Sequence, residues 1–116
     1  MNEFKVSLIN RWEKLSFLEQ IANIGSEIMK AFNWRRGDNS NYAERAFFRA
    51  LELIDLTLKN TSSFSRKKEI ARLREALIDF FLGNNEFNST ENFFFHYFLP
   101  FAYAVSKKDN CILDRL

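Results

Sequence analysis

The sequence predicts an all-α protein, an up-and-down bundle of four helices with a short extra helix before it and a proline-kinked helix at its end. Three observations lead there. One proline and three glycines among 116 residues leave long stretches that nothing interrupts. Within those stretches apolar residues recur at the three- and four-residue spacing that gathers them on one helical face. No stretch alternates apolar and polar side chains as a half-buried strand would. Helices of this kind, joined by short polar loops, bury their faces against one another around one core. The length suits a single domain over residues 1–116, large enough to hold a core without disulfides or metal.

The leading segment sets Phe4, Leu8, Trp12 and Leu15 on one face and reads as a short helix packed across the others. Ser16-Phe17-Leu18-Glu19 is a capping box, in which the serine oxygen accepts from an orphan N–H and Glu19 reaches back to the cap residue. Behind it Leu18, Ile21, Ala22, Gly25, Ile28, Met29 and Phe32 form an apolar stripe. Gly25 falls at the centre of that stripe, where glycine costs about 1 kcal/mol of helix propensity relative to alanine. Close approach of a neighbouring helix is the expected reason to tolerate it.

A loop over 35–40 precedes a helix for which Asn41-Tyr42-Ala43-Glu44 offers the cap. Its broad core face holds Ala43, Ala46, Phe47, Ala50, Leu51, Leu53, Ile54 and Leu58, while Phe48 and Leu56 point into its charged sector. After a second loop at 60–65, the next helix buries Ile70, Leu73, Leu77, Phe80 and Phe81 and stops at Gly83. Asn88-Ser89-Thr90-Glu91 is the last capping box in the sequence.

That box launches an uncharged aromatic stretch, 92–105. By helical angle Phe94, Phe98, Phe101 and Val105 make a core seam, Asn92, His96 and Tyr103 a polar stripe, and Phe95 and Leu99 a back that a four-helix core cannot easily reach. Pro100 has no N–H for the carbonyl of His96. Ending the helix there would need Leu99 as an N-cap, a poor choice, so a kink within one helix is expected. Residues 106–116 read as a flexible tail.

Composition narrows function mainly by exclusion. A formal charge of +2 makes no strong commitment to nucleic acid or to an anionic membrane. The aromatic stretch falls short of the roughly 20 apolar residues that span a bilayer, and no signal peptide is apparent at the N-terminus. The single Cys111 leaves no internal disulfide to form, which fits a reducing cytoplasm. No catalytic residues and no cofactor are expected. One His and one Cys offer no nucleophile–base pattern and no clustered zinc ligands. A di-iron bundle needs two Glu-x-x-His pairs, which one histidine cannot supply. Small helical ribonucleases of the HEPN type need an arginine four to six residues before a histidine on one helix, whereas Arg74 is the nearest arginine before His96.

Two charged groups remain. Glu52-Leu53-Ile54-Asp55 matches half of the Glu-x-x-Glu and Glu-x-x-Asp pattern by which all-α nucleotide pyrophosphohydrolases hold Mg²⁺. The other half is missing, and a solvated face with Arg49–Glu52 and Asp55–Lys59 pairs explains the residues more simply. Arg66, Lys67 and Lys68 with Arg72 form a basic cluster at a helix start, where cations oppose the macrodipole. That conflict points to an anion or RNA contact, with Arg35 and Arg36 as further candidates, although no aromatic stacking platform accompanies the cluster.

Through Trp12-Glu13-Lys14-Leu15-Ser16, Glu19 to Glu27, Arg49 to Thr57 and Arg72-Leu73-Arg74-Glu75, the chain resembles a group of small uncharacterised bacterial all-helical proteins of unknown function. The resemblance runs from Trp12 to Tyr103 and implies a fixed role for Glu27, Glu52, Asp55, Arg74 and Glu75. A polar network tying helices together would suit those residue types. The leading functional expectation is a non-enzymatic interaction module, a homodimer through Phe48, Phe95 and Leu99, the apolar side chains left over once one bundle core is filled. RNA or nucleotide binding through the basic cluster is the alternative, and a Mg²⁺-dependent hydrolase at Glu52 and Asp55 the third.

Overall fold

The computed structural model describes the backbone of residues 3–113 and the side chains of residues 6–107. Among the described residues there are five helices and no strand: α1 (Glu3–Glu13), α2 (Phe17–Arg36), α3 (Ser40–Asn60), α4 (Phe64–Phe81) and α5 (Glu91–Leu113). No described helix is long and apolar enough to cross a membrane.

Helices α2 to α5 alternate in direction around a ring. Phe32 near the end of α2 meets Phe94 near the start of α5, with ring centroids 6.1 Å apart, so those two helices are antiparallel. Phe47 early in α3 stacks on Phe81 at the end of α4 at 4.3 Å, which makes that pair antiparallel too. Backbone packing is close between α2 and α3 and between α2 and α5, looser between α3 and α4, and loosest between α4 and α5, which meet mainly through side chains. One side of the ring is therefore wider than the others.

The core is built from Ile21, Ile24, Ile28 and Phe32 of α2, Phe47 and Ile54 of α3, Ile70 and Leu77 of α4, and Phe94 and Phe98 of α5. Phe80 and Phe81 are half-buried and complete an aromatic cluster around Phe32, Phe80 lying edge-on at 5.5 Å. The stripe expected on α2 was too narrow. Leu18 is 46 % exposed, while Ile24 and Ala31 are fully buried, because α2 is flanked by both α3 and α5 and needs two apolar faces. Gly25 marks a close approach as expected. A methyl group there would lie 2.7 Å from Cγ and 2.8 Å from Cβ of Phe98.

Helix α1 is fastened to α3 by a buried hydrogen bond. Trp12 Nε1 donates to Thr57 Oγ1 at 3.0 Å, and that hydroxyl donates in turn to the carbonyl of Leu53 at 2.9 Å. Buried Gln20 closes the α1–α2 turn, its Nε2 donating to the carbonyls of Trp12 at 2.9 Å and Leu15 at 3.4 Å. The Ser16–Glu19 capping box is present with both of its bonds.

The other two expected caps are not the helix starts. Helix α3 begins at Ser40, with Asn39 in the cap position making no side-chain cap bond. Thr90, not Asn88, caps α5, its Oγ1 accepting from the N–H of Phe93 at 3.0 Å. Asn88 instead takes a left-handed conformation in the connecting loop, as Asn85 does (φ of 53° at both). Asp79 orders that loop: its two carboxylate oxygens accept from the N–H groups of Glu86 at 2.8 Å and Phe87 at 3.1 Å. Helix α5 continues through Pro100 and past Ser106 to Leu113, over part of the stretch that reads as a tail. Residues 114–116 and the side chain of Cys111 lie outside the described residues.

Candidate functional site

Three stripes run along α5. Phe94 and Phe98 enter the core. Phe95, Leu99 and Ala102 turn toward α2, and Phe93 and Tyr97 turn toward α4. Each outer stripe forms one wall of a groove, and these two grooves are the candidate sites of the molecule.

The first, between α2 and α5, is shallow, about 140 Å³. Ala22, Gly25 and Ser26 give it a floor of small side chains, with Met29 beside them. Phe95 (45 % exposed) and Leu99 (46 %) stand along its edge one helical turn apart. None of its lining residues is charged. Phe48, expected with Phe95 and Leu99, lies elsewhere. It sits two turns before Asp55, on the edge of α3 where Asp55 bonds to Arg74 of α4. That edge is across the ring from the α2–α5 groove, so the three residues do not share one surface.

The second groove lies on the wide side of the ring, between α4 and α5, and measures about 510 Å³. On α4, Phe64, Lys68 and Arg72 recur every fourth residue and so share one face. Opposite them on α5 stand Phe93 and Tyr97. The Tyr97 hydroxyl donates to Glu69 Oε1 at 2.7 Å, tying the two helices together. Burial, reinforced by that hydrogen bond and by the carboxylate's charge, pushes the Tyr97 phenol above its ordinary range. The basic cluster does have aromatic company, contrary to expectation, because the rings come from α5 and from the first turn of α4. A scan of the basic segment alone cannot see the neighbouring helix.

The members of that cluster are not equivalent. The Arg66 guanidinium lies 4.5 Å from the Phe17 ring centroid and is engaged with α2. Lys67 is exposed, and only Lys68 and Arg72 line the groove. Arg35 and Arg36 are at the far end of the bundle. Arg35 lies 4.8 Å from the ring centroid of Phe81, and Arg36 pairs with Glu91 at 3.0 Å and bonds to Asn33.

The acidic residues form two separate bridges and no single network. Glu27 is 3.3 Å from Lys30 and 3.5 Å from Arg49, joining α2 to α3. Asp55 accepts from Arg74 Nε at 2.9 Å, joining α3 to α4. The expected pairs within α3, Arg49–Glu52 and Asp55–Lys59, are replaced by these longer-range ones, since neighbouring helices offer Glu27 and Arg74. Glu52 and Glu75 are exposed and make no ion pair among the described residues. Glu52 and Asp55 thus meet no further carboxylate, and the described residues hold no group of three or more His, Cys, Asp or Glu fit for a metal ion. His96 is exposed, its Nδ1 2.8 Å from the carbonyl of Asn92 on its own helix.

The chain matches no family model, no curated protein and no solved structure.

Proposed function

We propose that the chain is a non-enzymatic member of a group of small bacterial helical proteins and acts as a self-associating interaction module through the α2–α5 groove. One observation carries the reading: the same surface holds both a ridge, Phe95 and Leu99, and a hollow floored by Ala22, Gly25 and Ser26. A two-fold interface is made of one patch meeting itself, so it needs a ridge and a matching hollow together. Two copies laid across each other can seat each ridge in the other's hollow, in the knob-and-hole manner of packed helices. No charged side chain lines the groove itself, so filling the hollow desolvates no charge there. A net charge of +2 gives little repulsion between copies. A cytoplasmic setting fits the lone cysteine.

Sedimentation equilibrium of the full chain at micromolar concentration tests this. A dimer is expected, and the double variant Phe95→Glu, Leu99→Glu should be a monomer with an unchanged circular dichroism spectrum. Phe48→Glu, on the opposite edge, should leave the dimer intact. A monomeric parent chain, or a dimer indifferent to the double variant, overturns the proposal.

A further inference from the structure

We infer that the groove between α4 and α5 binds a nucleotide unit, with its base against Phe93 and its phosphate against Lys68 and Arg72. The inference uses the other flank of α5 and stands or falls separately from self-association.

Phe64 is 79 % exposed and Phe93 56 % exposed, although phenylalanine has no polar group to satisfy in water. Both line one groove together with Tyr97. A volume of about 510 Å³ is within the range of small-molecule sites. The groove pairs two ladders of equal step: Lys68 and Arg72 on α4, and Phe93 and Tyr97 on α5. Residues four apart on a helix lie on one face about 6 Å apart along the axis. The Tyr97–Glu69 bond brings the Tyr97 ring to the turn of α4 that carries Lys68.

Cations along one wall and rings along the other make the arrangement by which proteins hold single-stranded nucleic acid, the phosphates held by charge and the bases by stacking. Glu69 tempers the charge without cancelling it, leaving two cations against one carboxylate in the lining. The carboxylate is occupied by the Tyr97 hydroxyl, which fixes the ring at the groove wall. A ligand with one or two negative charges and a flat aromatic face fits this lining. An acidic peptide supplies the charge without the face.

The test uses fluorescence anisotropy on the full chain. Its probe is a labelled single-stranded oligonucleotide of mixed sequence, against which free ATP, inorganic phosphate, a duplex of the same sequence and phosphatidylserine vesicles compete. Binding of the single strand is expected, with a log–log salt slope near −1.4 for two phosphate contacts. Phe93→Leu should weaken it about tenfold by removing one stacking surface. Lys68→Ala and Arg72→Ala should weaken it and flatten the slope, whereas Lys67→Ala should change it little. All these side chains are exposed, and thermal melts will show whether the variants stay folded. Displacement by ATP marks a site open to free nucleotides, and retention against ATP marks one that needs a strand; either supports the inference. Several outcomes would overturn it: no binding at low salt, equal competition by duplex or inorganic phosphate, preferential capture by vesicles, or indifference to Phe93→Leu.

Discussion

At position 25 a single hydrogen atom in place of a methyl group lets two helices meet. Cβ and Cγ of Phe98, the stem of the side chain, occupy the space a methyl would need, and a stem cannot swing aside as a side-chain tip can. Gly25→Ala gains about 1 kcal/mol in helix propensity. It also forces an overpacked contact that costs about 1–3 kcal/mol. We expect a net loss of stability in urea titration and a displaced α5; a more stable variant would mean that α2 and α5 are not in this contact. The position was readable in the sequence, because a glycine inside an apolar stripe demands such an explanation. The Trp12–Thr57 bond was not. Its partners are 45 residues apart, and nothing in a threonine on a helical face announces which indole will reach it.

Helix α5 and the loop before it show what periodicity captures and what it misses. Angles alone separated Phe94 and Phe98 from Phe95 and Leu99, and burial follows that division. The start of the helix was misplaced because three consecutive residues, Asn88, Ser89 and Thr90, are all acceptable caps. The choice fell to Asp79 in α4, which fixes the path of the loop through the N–H groups of Glu86 and Phe87. Asp79→Ala should cost about 1–2 kcal/mol through the loss of two bonds to a charged acceptor. Hydrogen exchange should rise at those two amides first. Unchanged protection there would remove Asp79 from the role given to it.

Across the whole molecule, the ring of helices was legible from stripes and loops, but its uneven width was not. Which neighbours press backbone to backbone depends on paired side-chain sizes, and a single chain of letters does not show the pairs. The wide side is bridged by the Tyr97–Glu69 bond, which gives the bundle a dependence on alkaline pH. The Tyr97 pKa is raised by folding, chiefly through burial. The unfolded chain ionises near the ordinary tyrosine value of about 10. Stability from this group is therefore complete below about pH 10 and declines as pH rises beyond it. Urea midpoints should fall in that range, and Tyr97→Phe should fall less steeply than the parent. Parallel declines would show that Tyr97 contributes nothing to the loss.

The close packing of α2 against α5 also sets an order of events at synthesis. Helices α2, α3 and α4 can associate with their sequence neighbours as they emerge, since domains begin to form from the N-terminal side. The partner of Gly25, Phe98, is made only after α3 and α4 have been made. Until it arrives, α2 keeps one of its two apolar faces wet, and α5 then enters the cell as a run of bare phenylalanines with a single place to go. A chain that stalls before Phe98 leaves its surroundings with an open hydrophobic trough. That half-made form is the one we expect chaperones and proteases to meet.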